Sequence, residues 1–274
     1  MCVFCGDDGL LSRRAFLRCT ASGVGAALAT SLPLPALAQV DSATSGSTVT
    51  GICDSFVESY IRLNPTLTGR VFGLDRSGVA VTDWSPAGSE AVATLMRDTL
   101  GALTSTPAAN HKERLGAGFV EDTANSILAG YDAGEQYRKM STHVFIGPPA
   151  LLLTSFEMMS QATGGEVPLE PEAVNNDWGR ILERLRAVPT GIAGYRESLE
   201  YGMARNLMAP RSMTLAVAKQ CRGWAKQGWF TTFVNRYGGG TLAAPLAEAA
   251  TAANRSYGEL AEWLEASYAP TAAP

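Results

Sequence analysis

Histidine is nearly missing from this 274-residue chain, which has only two, His111 and His143. A thermolysin-type metal hydrolase needs His-Glu-x-x-His on a helix, with two imidazoles on one face and a carboxylate base beside them. His111 is followed by Lys112-Glu113-Arg114-Leu115 and His143 by Val144-Phe145-Ile146-Gly147, so neither opens that motif. His111 reads as an exposed first-turn residue, and His143 as one that bonds to backbone near a helix end. Charge is also scarce, at 18% of residues with a formal net charge of −4. A surface that binds phosphate needs a surplus of Lys and Arg, so nucleic acid is excluded as the main partner. Five cysteines in this length exclude a disulfide-dense mini-scaffold. No Gly-x-Ser-x-Gly nucleophile elbow occurs. Gly238-Gly239-Gly240 is not followed by Gly-Lys-Ser/Thr, which makes it a hinge or linker and not a phosphate cradle. The hydrophobic fraction of 46% is that of a folded globular protein.

The N-terminus carries Ser12-Arg13-Arg14-Ala15-Phe16-Leu17-Arg18, then an uncharged stretch from Cys19 to Ala38. That stretch is rich in Ala, Gly, Ser and Thr and contains Pro33 and Pro35. A stable membrane span wants about 20 strongly apolar residues, and prolines near one end weaken it further. The arrangement resembles a twin-arginine export signal, usually Ser-Arg-Arg-x-Phe-Leu-Lys. Arg13, Arg14, Phe16 and Leu17 stand in its positions, and Arg18 keeps the charge of the final Lys. Adjacent guanidinium forks suit an acidic receptor surface. Ala36-Leu37-Ala38 supplies the small-x-small cleavage pattern through Ala36 and Ala38. Residues 1–38 are therefore expected to be a signal peptide read by the twin-arginine translocation machinery, with the product exported to the periplasm or beyond and holding no stable membrane span. Cleavage after Ala38 leaves 236 residues with a net charge of −5. Cys2-x-x-Cys5 lies ahead of the signal and lacks the second pair that a four-cysteine site requires. Cys53 and Cys221 remain, either paired in an oxidising compartment or as free thiols.

The rest reads as helix after helix. Residues 39–52 form a lead-in, and Cys53, Phe56, Val57, Tyr60 and Ile61 then follow the spacing of one helical face. Asn64-Pro65 stops that helix. The chain from Arg70 to Trp84 is irregular, with room for a short hairpin around Val79-Ala80-Val81. Ser85-Pro86 supplies a capping hydroxyl followed by proline at the first helical position. A helix from near Asn110 runs toward Tyr137 through Leu115, Phe119, Ile127 and Tyr131. Pro148-Pro149 opens an apolar, central helix from Leu151 to Gln161. Pro171 opens the next, with Trp178, Ile181, Leu182 and Leu185 on one side. Pro189 marks a corner before a separate helix carrying Ile192, Tyr195, Leu199 and Met203. Pro210 starts another, and the last lies near Pro245 to Ser267. No strand–helix alternation supports a parallel sheet, so the fold class is an all-α multi-helix array over residues 53–270. Glu259 with Glu262, and Glu197 with Glu200, share helix faces but read as solvated carboxylates without a third ligand. Trp224, Trp229, Phe230, Phe233 and Tyr237 are an aromatic cluster, expected in core packing or in a contact with further sequence before a ligand groove.

Motifs spread from about 53 to 270 resemble the N-terminal half of the bacterial domain of unknown function 885 family. Phe56-x3-Tyr60-x3-Asn64-Pro65 leads into Gly73-Leu74-Asp75 and Asp83-Trp84-Ser85-Pro86. Leu185-x3-Pro189, Tyr195-x3-Leu199-x2-Gly202 and Pro210-Arg211 follow, and Trp263-Leu264 with Ala269-Pro270 closes the run. The resemblance implies a predominantly helical fold about twice this length, similar to zinc metallopeptidases, whose second half carries His-Glu-x-x-His. On that basis the chain is expected to be the exported first half of a zinc-hydrolase-like protein, truncated or split before the catalytic motif. It would be inactive alone, with no catalytic, cofactor or metal residue of its own, and zinc and a C-terminal partner half would supply the chemistry. The alternative is a stand-alone extracytoplasmic helical module for binding or scaffolding.

Overall fold

Most helix starts can be traced to one or two residues whose chemistry suits a first turn. The structure, a computed structural model, describes residues 48–72, 79–160 and 171–273. The export-signal residues Arg13, Arg14, Phe16, Leu17, Ala36 and Ala38, the Cys2/Cys5 pair and Gly73-Leu74-Asp75 lie outside the described residues.

Helix α1 (Val49–Leu63) begins where Thr48 Oγ1 accepts the Gly51 N–H at 3.1 Å. This start falls inside the segment expected as lead-in. Val49 and Ile52 are both buried, so the amphipathic face extends one turn further back than the Cys53 periodicity indicated. Asn64 ends α1 as expected, but Pro65 then opens a second helix, α2 (Pro65–Phe72), in the first position that proline tolerates.

No strand occurs among the described residues, so the short hairpin for which Val79-Ala80-Val81 had room does not form, and an extended segment covers 79–85. Long-range bonds hold that segment in place of a strand partner. Thr66 N–H donates to Thr82 Oγ1 at 3.1 Å, and Thr82 N–H returns the bond to Thr66 Oγ1 at 2.9 Å.

Ser85 Oγ accepts the Gly88 N–H at 3.1 Å and starts α3 (Pro86–Ser105). Asn110 Oδ1 accepts the Glu113 N–H at 3.0 Å while Glu113 Oε2 accepts the Ala109 N–H at 2.8 Å, a reciprocal cap that starts α4 (His111–Asp132). Gly134, at φ 71°, turns the chain into a 3₁₀ turn at Glu135–Tyr137. Helix α5 (Pro148–Ser160) opens at the proline pair, and α6 (Pro171–Met203) follows.

Helix α6 corrects the reading of Pro189 as a corner, because it runs unbroken through that residue for 33 residues. The proline leaves the Leu185 carbonyl without its helical N–H. Leu185 and Val188 before it, and Ile192, Tyr195 and Leu199 after it, all bury on the same core. That shared burial holds one axis across the defect. Helices α7 (Arg211–Lys226), α8 (Trp229–Val234) and α9 (Ala243–Trp263) complete the array, with a π turn at Leu264–Tyr268. The three glycines at 238–240 all have positive φ and make the expected break.

Two hydrophobic cores result. The smaller joins α1, α3 and α4 around Phe56, Met96, Leu103 and Val120. The larger joins α5 to α9, with Phe156 edge-on to Phe230 and Phe233 at centroid distances of 5.5 and 5.8 Å. Trp229 stacks on Phe233, Trp224 meets Tyr257 and Tyr237 meets Trp178, so the aromatic cluster is core packing. Buried tyrosines bond to backbone: Tyr257 Oη donates to the Pro149 carbonyl at 2.7 Å and Tyr195 Oη to the Lys139 carbonyl at 2.8 Å.

Candidate ligand cleft

The extended segment 79–85 lies where the two cores meet, and three anchors on α6 explain why it stays there. Arg184, fully buried, donates to the Ala80 carbonyl and to Ser155 Oγ at 3.0 Å each, with its guanidinium over the Phe156 ring. Its Nε finds no partner, and burial pulls its pKa down to about 10. Ser198 Oγ donates to the Trp84 carbonyl at 2.6 Å. Gly191 leaves room for Val81, whose Cγ1 would stand 2.6 Å from a Cβ at that position.

Above this segment opens a cavity of about 440 Å³. Tyr60 and Asn64 of α1, Trp84 of the segment, Val92 of α3, Ile127 and Tyr131 of α4, Gln136 and Lys139 after α4, and Tyr195 of α6 all line it. Its volume falls in the range of small-molecule sites, and its lining mixes apolar side chains with a few polar groups. Gln136 donates through Nε2 to the Tyr131 carbonyl at 3.2 Å, but its buried Oε1 accepts no hydrogen bond. A buried acceptor left unpaired is costly. Partial desolvation lowers the pKa of the Lys139 ammonium, and burial raises that of the Tyr60 hydroxyl.

Beside the cavity wall, Tyr131 Oη donates to Glu90 Oε2 and Arg97 reaches Glu90 Oε1 at 2.8 Å. The tyrosine bond first, then the arginine, holds the Glu90 carboxyl below its ordinary value, and the same bond raises the Tyr131 phenol. Glu90 and Arg97 are about half exposed, so this network orients Tyr131 more than it stabilises the fold.

A family model described as bacterial protein of unknown function (DUF885) matches residues 69–273. The chain belongs to that family. The DUF885 match takes in Asp83-Trp84-Ser85-Pro86 and the α6 residues that anchor it, whereas Phe56 to Pro65 precedes it. No curated protein matches the chain significantly.

The zinc that the DUF885 resemblance implies belongs to a second half and not to the described residues. They contain no group of three His, Cys, Asp or Glu side chains placed to hold a metal ion. His111 stands exposed at the first position of α4. His143, also exposed, accepts the Phe145 N–H on Nδ1 at 3.3 Å, the backbone bond expected for it. Glu197 and Glu200 are solvent-facing, as are Glu259 and Glu262, with Glu200 paired to Arg196 and Glu259 to Arg255. Cys53 and Cys221 are both free, the first half-buried beside the small core and the second sealed in the large one. No helix among the described residues is long and apolar enough to cross a membrane.

Sequence reasoning expected the region to form one wall of a substrate cleft but did not assemble this lining. Its lining comes from five separate stretches of chain, and neither Gln136 nor Lys139 belongs to any motif. The pointers were Tyr60 and Asn64, Asp83-Trp84-Ser85-Pro86, and Tyr195, motif residues that each supply part of the wall.

Proposed function

We propose that this DUF885 chain is the exported, cleft-forming helical region of a zinc-hydrolase-like protein. It holds the organic part of a ligand and supplies no metal ligand itself. The observation that carries the reading is the cleft between the two cores, where Gln136 and Lys139 flank an apolar bed of Trp84, Val92 and Ile127. That set suits a small molecule with an N–H or O–H donor, an anionic group and an apolar body. A metal-bearing second half, acting at such a ligand, belongs to the same proposal, as does export through the twin-arginine route.

N-acetyl-leucine carries all three features and serves as the probe. Saturation-transfer NMR should detect it on the wild-type chain, with the signal lost in Lys139→Ala and weakened in Gln136→Leu while thermal melts stay unchanged. Binding that is absent, or indifferent to both substitutions, would sink the reading. A stand-alone binding module is favoured by one observation, the near-complete burial of Phe156, Trp178, Tyr257 and their neighbours in the large core. Cooperative unfolding without binding of a hydrophobic dye distinguishes it from a region torn from a larger core.

A further inference from the structure

Helix α4 turns two large apolar side chains into solvent. Leu115 is 62% exposed and Phe119 73% exposed, the two highest values among the large hydrophobic residues described. The sequence pattern had run this helix through both as part of its apolar series. The structure buries Val120 and Ala124 instead, so Leu115 and Phe119 stand on the opposite side. Continuing their spacing along the helix adds Lys112 and Asp122, both exposed, so that positions 112, 115, 119 and 122 form one stripe with intervals of three, four and three. Such spacing is the seam along which two helices pack.

The stripe is palindromic in its chemistry. It reads cation, apolar, apolar, anion about a centre at Ala117. A second copy of α4 laid antiparallel across that centre places Leu115 against Phe119 of the other copy, and Lys112 against Asp122 of the other copy, at both ends. Within one chain Lys112 and Asp122 are ten residues apart, about 15 Å along the axis, and cannot pair with each other. Neither has an ion pair among the described residues. Gly116 and Gly118 border the stripe, and a Cβ at Gly118 would meet nothing within 4 Å, so the partner backbone has space to approach. Glu113 stays off this contact, because its carboxylate bonds to Ala109 N–H and Thr50 Oγ1.

We infer that this face is a two-fold, antiparallel α4–α4 contact between copies of the chain, apolar at its centre and closed at each end by a Lys112–Asp122 ion pair. A single helix pair buries far less than the roughly 800 Å² per partner of a stable dimer, so the association is weak and grows with concentration.

Sedimentation equilibrium of the purified chain over a wide concentration range tests it. The wild type is expected to pass from monomer to dimer. Lys112→Asp and Asp122→Lys are each expected to weaken the dimer about tenfold or more, because each sets like charges face to face. The double variant Lys112→Asp/Asp122→Lys is expected to restore it. All four positions are on the surface, and thermal melts identify any variant that loses its fold; Phe119→Ser then provides a second test through the apolar centre. A chain that stays monomeric at every concentration assigns the stripe to a different polypeptide and overturns the inference. So does a dimer indifferent to the single swaps, or one that the double swap fails to restore.

Discussion

Gly202 lets the end of α6 pass close to two backbone carbonyls, and alanine there tests whether that approach is as tight as the structure has it. A Cβ at Gly202 would stand 2.4 Å from the Tyr137 carbonyl oxygen and 2.5 Å from the Leu207 carbonyl oxygen. Ordinary carbon–oxygen contact begins near about 3.3 Å, so each carbonyl would have to retreat by roughly 0.8 Å. Neither is a flexible side-chain end. The Gly202 carbonyl itself accepts from Arg205 and Leu207 N–H at 2.9 Å, so the turn that must move is already tied down. Alanine gains about 1 kcal/mol of helix propensity, whereas overpacking costs about 1–3 kcal/mol and more where backbone is displaced. With two backbone carbonyls displaced, the cost lies at the upper end of that range, so the net expectation for Gly202→Ala is a loss of about 1–2 kcal/mol in urea unfolding followed by circular dichroism. Gly101→Ala is the matched control. It sits mid-helix in α3 with nothing within 4 Å of the new methyl and should stabilise by about 0.5–1 kcal/mol. A Gly202→Ala midpoint at or above wild type would refute the reasoning, and its control would show whether the assay was at fault.

Two further expectations concern titratable groups. In a chain with Cys2, Cys5 and Cys19 replaced by serine, a thiol reagent should label Cys53 slowly in the native state. Cys221, sealed in the large core and pushed up to about 12, should react only at the rate of unfolding, as mass spectrometry of labelled peptides would report. Tyr131→Phe should raise the Glu90 titration midpoint measured by carboxyl NMR, because the phenol bond is the largest influence holding it down. Since the folded value is depressed, the associated stability is present above the unfolded carboxylate's pKa and is lost as pH falls through the folded one. The difference between wild type and Tyr131→Phe should therefore be greatest near neutral pH and vanish in acid.

How much of this was legible in sequence followed the range of the interactions involved. Ser85-Pro86 and Asn110 announced their helices because a cap is completed within four residues. Pro189 misled because the local rule against interior proline was outweighed by burial of Leu185, Val188, Ile192 and Tyr195 along one axis. The 79–85 segment read as irregular, as it is, but what holds it did not, because its partners, Thr66, Arg184 and Ser198, lie on other elements, and no pattern within the segment names them. The aromatic cluster, expected in core packing or in a contact with further sequence, packs in and against the large core. Leu115 and Phe119 continued a plausible helical series, yet the choice of inner face was made by Val120 and Ala124 packing against α1 and α3. The cleft was the least visible feature, since Tyr60, Trp84, Gln136 and Lys139 become neighbours only after folding.

The central claim is that this chain shapes a cleft without holding the ion that would do chemistry there, and metal analysis tests it most directly. The purified chain, dialysed after incubation with zinc, should retain well under one equivalent by mass spectrometry and should leave a peptide library uncut. Tightly held, equimolar zinc accompanied by robust peptide cleavage would contradict the account.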